Sequence, residues 1–172
     1  MRGPTSVRGR WLLFAALAVI VVIADQISKA WVRASFVYGG RPVPVVGDLV
    51  RLIYSQNRGG IFGLFGDSAT LLGLASLGVI ALIVIYMARE GVRNHWLLTV
   101  ALGLLLGGAI GNLIDRLTFG YVFDWVDMGI GDWRWYTFNV ADAAISTALL
   151  LFLLIGLFGE RIAARLQDRP AH

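Results

Sequence analysis

The chain has 172 residues, 58% of them hydrophobic and 15% charged, with a mean hydropathy of +0.73 and a formal net charge of +4. It is too apolar for an ordinary soluble domain and long enough for only a few membrane spans, so an integral membrane protein is expected. Without cysteine it has no thiol nucleophile, disulfide or thiolate metal site, and its two histidines, His95 and His172, are not placed to serve a catalytic triad or a zinc site.

Residues 1–10 carry Arg2, Arg8 and Arg10 and lead into the uncharged run 11–24. A secretory signal peptide begins in the same way. This run, however, ends in Val22-Ile23-Ala24 without a small-x-small cleavage pattern, and further spans follow, so an uncleaved first helix over 11–31 is expected. Its length is close to the ~20 residues that cross the hydrocarbon core. Asp25 and Lys29 fall at its far end, four apart on one helical face, and read as a helix-end ion pair, a functional pair, or both.

Residues 32–67 are less apolar. Tyr38-Gly39-Gly40 breaks the helix, Pro42 and Pro44 follow, and 45–54 has the β-branched and aromatic composition of short strand structure outside the membrane. Asn57-Arg58-Gly59-Gly60-Ile61-Phe62-Gly63 then reads as a glycine-rich turn.

A second span is expected over 68–88, then a tight polar turn with Arg89, Glu90 and Arg93, then a third span over 94–114. The fourth, 142–159, opens on Asp142 and runs into a basic tail with Arg161, Arg165 and Arg169. Four spans return both termini to one side. Lys and Arg divide almost evenly between the two sides, but those on the terminus side hug the helix ends, where the positive-inside rule acts. Both termini are therefore expected in the cytoplasm, with 32–67 and 115–141 extracytoplasmic. All six tryptophans lie near span ends, as an interfacial aromatic belt requires. The basic residues are scattered among apolar runs and form no stripe, so nucleic acid is not an expected partner.

The chemistry is expected around the last two spans. Asp115, Asp124, Asp127, Asp132 and Asp142 make up five of the eleven acidic residues. An ionisable group at or within a bilayer costs ~2.5 to 3.5 kcal/mol on insertion scales, so its default reading is a functional site. In Asn112-x-x-Asp115 and Asn139-x-x-Asp142 the helical spacing puts an amide and a carboxylate on one face. Two aspartates held close together do not both ionise easily, so one keeps a proton while the other acts as base toward water, the arrangement of an aspartyl protease. Asn112 and Asn139 can orient carboxylates or a substrate carbonyl, and Arg116 can brace a carboxylate. Simpler readings stand beside these: Asp115 with Arg116 as a structural ion pair, and Asp127 and Asp132 as solvated loop residues. Ser28-Lys29 is a competing nucleophile and base, but adjacent helical residues point about 100° apart. From another class, a small proton-coupled transporter also uses intramembrane carboxylates, near span centres. Here the acids cluster at one end.

The motifs Asp25-Gln-Ile-Ser-Lys29, Asn57-Arg-Gly59, Gly107-Gly-Ala-Ile-Gly-Asn112-Leu-Ile-Asp115-Arg116, Val122-Phe-Asp124 and Phe138-Asn139-Val-Ala-Asp142 occur in this order over nearly the whole chain. In this the sequence resembles the bacterial lipoprotein signal peptidases, the type II signal peptidases. One departure is visible: Ile61 stands before Phe62 where the family usually has Ala or Ser. The resemblance implies an all-α integral membrane protein of four transmembrane helices with a small extracytoplasmic β-structured cradle, matched by 45–54 and 132–138. It implies an aspartyl endopeptidase of the bacterial inner membrane that cuts prolipoproteins just before a diacylglyceryl-modified cysteine. Asp124 and Asp142 match the family's catalytic pair, and Asn112, Asp115, Arg116 and Asn139 match supporting residues. Asp25, Lys29, Asn57 and Gly59 are then expected to shape the substrate and lipid pocket. The resemblance also implies no metal or other cofactor, membrane lipids as surroundings, inhibition by globomycin-type peptides, and a monomer.

Overall fold

A computed structural model describes residues 6–58, 69–90 and 96–167. Gly59 and Ile61 lie outside the described residues, as does the 91–95 turn.

Four helices follow the four uncharged runs: α1 (Val7–Ser35), α2 (Ala69–Glu90), α3 (Trp96–Phe119) and α4 (Val140–Gln167). Each contains a stretch long and apolar enough to cross a membrane. Three of the helices extend well past the expected spans. α1 begins where the Ser6 side chain accepts a hydrogen bond from Gly9 N (3.0 Å), a conventional N-cap. α3 runs on to Phe119 and so carries Asp115 and Arg116, expected at the helix end just past the third span, inside its last turns.

α3 is the central helix. Of its most apolar stretch 61% is buried, against 17 to 22% in the other three, whose large side chains, such as Leu74, Leu82, Leu150 and Leu157, face outward as lipid-facing residues do. α1 packs on one side of α3 and α4 on the other. Small residues allow this: a Cβ on Gly107 would fall 2.7 Å from Val21 Cβ in α1, and one on Gly108 would fall 2.5 Å from Ala141 O in α4. Beside these contacts, Phe14, Ala18, Ile83, Met87, Leu102 and Leu106 form an apolar cluster joining α1, α2 and α3.

Outside the bundle a four-stranded antiparallel sheet has the order β1-β2-β3-β4, with β1 (Val43–Val46), β2 (Val50–Asn57), β3 (Val122–Ile130) and β4 (Trp133–Arg134). The expected strand region over 45–54 is a β1–β2 hairpin turning at Gly47, whose φ of +49° suits glycine. The region 132–138 is only partly strand: β4 is two residues long, and Phe138 adds an isolated bridge to Val126. The longest strand is β3, in the stretch where Asp127 was expected as a solvated loop residue. It pairs with β2 so that Ser55 lies opposite Asp124 and Asn57 opposite Val122.

Candidate active site

The polar end of the bundle is built in two layers. The lower layer centres on Lys29, which is 1% exposed. Its ammonium lies 2.7 Å from Asp25 Oδ2 and 2.8 Å from Asp115 Oδ2, and donates to Asn112 Oδ1 at 3.1 Å. A buried cation needs such compensation, because desolvating it costs several kcal/mol. Asp25 in turn accepts from Ala141 N (3.0 Å) in the first turn of α4, and Asp115 from Phe123 N (3.1 Å) at the start of β3. Gln26 donates to Asp25 (3.2 Å), Asp115 (3.1 Å) and Gly111 O (3.2 Å). The layer therefore ties α1 and α3 to the beginnings of the two elements above it.

This corrects one expectation. The ion-pair partner of Asp115 is Lys29, on another helix, while Arg116 donates to its own helix at Asn112 O (3.4 Å). Asp25 and Lys29 are enclosed beneath the site and are not among the residues that line its cavity. Ser28 and Lys29 do not form a dyad, since Ser28 Oγ donates to Asp25 O (2.8 Å) and Lys29 points into the acid cluster.

The upper layer holds Asp124 and Asp142. Asp142 sits in the first turn of α4, where Asn139 and Asp142 cap each other: Asp142 N donates to Asn139 Oδ1 (2.9 Å) and Asn139 N to Asp142 Oδ2 (3.3 Å). This is the reciprocal geometry of a capping box, with Asn and Asp in place of Ser and Glu. Because Asn139 Oδ1 is used as the cap, its Nδ2 is turned toward β3, where it donates to Asp124 Oδ1 (2.8 Å) and Phe123 O (3.2 Å). Asp124 Oδ2 accepts from Asn57 Nδ2 (3.0 Å) across the β2–β3 pair. Asn112 Nδ2 donates to Asp142 Oδ1 (2.7 Å). Burial, and then the charge of Asp142, push the Asp124 carboxyl up to about 7 against the opposing hydrogen bonds from Asn57 and Asn139.

A cavity of about 900 Å³ opens beside this pair. Asn57, Asn112, Arg116 and Asp142 form its polar end. Its apolar wall runs along α4 through Ile145 and Leu149, and the sheet side adds Met128, Ile130 and Trp135. Of β3, Val122, Met128, Gly129 and Ile130 line this cavity, and Asp124, of the same parity as Val122 and Met128, is itself not among the lining residues.

Asp127 points the other way. It was expected to be a solvated loop residue, yet it is 4% exposed and held by Arg51 (2.6 Å) and Arg134 (3.0 Å). Burial raises its pKa, but the hydrogen bonds from Arg134 and Arg51 outweigh burial and hold the carboxyl below its usual range. Both arginines also reach Asp48 in the β1–β2 turn, so one cluster pins the two hairpins together. Asp132 is exposed, as expected. Gln26, Arg51 and Arg134 had no role in the sequence reading. Gln26 adjoins Asp25 in the first motif, and that position was the only signal for it.

Residues 17–158 match the family described as Signal peptidase (SPase) II. The chain is 44% identical over 144 residues to a lipoprotein signal peptidase of Syntrophomonas wolfei, covering 83% of this chain and 92% of that one. It is 39% identical over 139 residues to a lipoprotein signal peptidase of Moorella thermoacetica, covering 80% and 88%. A solved structure described as a bacterial membrane enzyme superposes with a TM-score of 0.77 at 25% identity, over 92% of this chain and 94% of that one.

Proposed function

The chain belongs to the signal peptidase II family, and from that premise we propose that it is an aspartyl endopeptidase that removes signal peptides from diacylglyceryl-modified prolipoproteins, with Asp124 and Asp142 as the catalytic pair. The observation that carries this reading is Asn139, which holds both carboxylates at once, Asp124 through its amide and Asp142 through its backbone N–H. One residue sets the spacing of the pair.

The division of labour follows from the surroundings. Asp124, buried and pushed up to about 7, keeps the proton. Asp142 begins a helix, accepts from Asn112 Nδ2 and is faced by Lys29 and Arg116, and we assign it as the carboxylate of the pair. Asp142 takes a proton from water as the water oxygen attacks the scissile carbonyl carbon, and Asp124 gives its proton to the carbonyl oxygen. The tetrahedral intermediate then collapses: one of its hydroxyls returns a proton to Asp124, the C–N bond breaks, and the amine nitrogen leaves with the proton held by Asp142. Asn57 Oδ1 is buried without a partner among the described residues, on a side chain that lines the cavity, and is available to accept a peptide N–H. The apolar wall along α4 suits an acyl chain, while the polar end admits the peptide and water.

On this reading the protein is a monomer in the bacterial inner membrane, with both termini cytoplasmic and the carboxylates at the extracytoplasmic end of the bundle. Asn112, Asp115, Arg116 and Asn139 support the pair, and globomycin-type peptides occupy the cavity. The carboxylates gather at one end of the bundle and the relatives are peptidases, so no observation favours the transporter. The test is cleavage of a diacylglyceryl-modified prolipoprotein in detergent by wild type, Asp124→Asn and Asp142→Asn, all checked for folding. Each substitution is expected to lower kcat by about 10³-fold or more. Normal cleavage by either variant refutes the assignment.

A further inference from the structure

We infer that Lys29 is a positioning residue: by claiming the side-chain carbonyl of Asn112, it turns that amide so that its N–H₂ group serves Asp142. The inference rests on the aspartyl reading above and extends it one layer down.

The argument uses only what each group can donate or accept. An ammonium has three donors and no acceptor. Lys29 spends these on Asp25, Asp115 and Asn112, so the Asn112 atom that faces it is the carbonyl oxygen. Asn139 Nδ2 donates onto that same oxygen (3.2 Å), a second reason for the orientation. The nitrogen of the amide is then left at 2.7 Å from Asp142 Oδ1. Were the amide turned over, its N–H₂ would face the ammonium of Lys29 and the N–H₂ of Asn139, and its oxygen would face a carboxylate. Donors would meet donors, and an acceptor would meet an acceptor.

Lys29 is itself held in place. Asp25 and Asp115 are 0% and 1% exposed and fix it from α1 and α3, and the same two carboxylates accept from Ala141 N and Phe123 N. These are backbone groups adjacent to Asp142 and Asp124. The groups that face Asp142 are therefore Lys29 from α1, Asn112 and Arg116 from α3, Asp124 from β3, and Asn139 and Tyr136 at the entry to α4. Lys29 does not line the cavity, and its three donors are spent on Asp25, Asp115 and Asn112. It acts on the reacting carboxylate through Asn112 and does not touch substrate. Its removal should therefore change kcat and its pH profile and spare KM.

Removing Lys29 alone leaves two buried acids uncompensated, so the variant is charge-balanced. Lys29→Met with Asp115→Asn is compared with Asp115→Asn, using cleavage of a diacylglyceryl-modified prolipoprotein across a pH series, with folding followed by thermal unfolding in detergent. Relative to Asp115→Asn, the double variant is expected to lose roughly 10² in kcat, to shift the kcat–pH profile, and to keep KM within about twofold. Equal kcat and an equal profile overturn the proposal. So does a raised KM with kcat held, which would make Lys29 a substrate-binding group. Asn112→Asp supplies an arm that keeps a partner for Lys29 but has no N–H for Asp142. It is expected to fold and to lose a similar factor in kcat, and wild-type turnover there overturns the proposal whatever the double variant does. Failure of the underlying reading looks different, because Asp124→Asn or Asp142→Asn would then cut normally.

Discussion

Gly108 has no chemistry of its own, yet replacing it with alanine should damage catalysis more than stability. Its added Cβ would lie 2.5 Å from Ala141 O and 2.7 Å from Ile145 Cγ1, both in the first turns of α4. Ile145 can change rotamer, but the carbonyl cannot move without its helix, and Ala141 N is pinned to Asp25 at 3.0 Å. Relief to an ordinary contact needs a shift of about 1 Å in α4, next to Asp142. Overpacking of this kind costs about 1 to 3 kcal/mol, and the better helix propensity of alanine returns about 1 kcal/mol. A displacement of about 1 Å at reacting groups costs about 10²-fold in rate. Gly108→Ala should therefore lose about two orders of magnitude in kcat with a net destabilisation of at most about 2 kcal/mol. The control is Gly78→Ala on α2, whose Cβ would meet nothing within 4 Å and which should cut normally. Cleavage kinetics of the lipidated substrate, run well below the unfolding temperature of each variant, make the comparison. Gly108→Ala cutting within about twofold of wild type would show that α3 and α4 can part without disturbing the pair, and the reasoning would fail.

Two further outcomes can be checked with the same substrate. On the proposed mechanism Asp124 supplies a proton, and burial pushes its carboxyl up to about 7, so kcat should fall as pH rises through that value. Its folded-state pKa lies above the ordinary 3.8, so the stability associated with the neutral carboxyl is complete below about pH 4 and lost as pH climbs through about 7. Thermal unfolding of Asp124→Asn should accordingly gain on wild type between about pH 4 and pH 7, and a constant difference would refute the assignment. Asp127 is depressed, and the stability it supplies is present above 3.8 and lost as pH falls further. Asp127→Asn should loosen the two hairpins, raise KM several-fold with little change in kcat, and show its stability deficit at neutral pH but not in strong acid. A normal KM would mean the hairpins do not shape the cavity.

The four apolar helices were legible because an uncharged run of about 20 residues has few alternatives to a span. Where the helices end was not legible from hydropathy, since α3 continues through Asp115 and Arg116 once Lys29 and Asn112 O receive them. The i, i+4 pairing of Asp25 with Lys29 could be read locally, but its third member lies on another helix. β3 was hidden by its own composition. Asp124, Asp127 and Gly129 are residue types that strands avoid, and they are tolerated because Asn57, Arg51 and Arg134 satisfy the acids. Whether a charge such as Asp127 is solvated depends on partners as far as 76 positions away, and a local reading of polarity has no access to them.

The sheet order β1-β2-β3-β4 hides a long detour, because two whole helices intervene between its middle strands. Asn57 and Asp124 stand 67 positions apart, and Asp142 opens the last helix of all. During synthesis the first hairpin must wait, its edge unpaired, until α2 and α3 have crossed the bilayer and β3 emerges beside it. Only insertion of the final helix then delivers the second carboxylate. A nascent or misinserted chain thus has no hydrolytic centre to turn on neighbouring proteins, a latency that zymogens reach by other means and that here follows from the order of the elements.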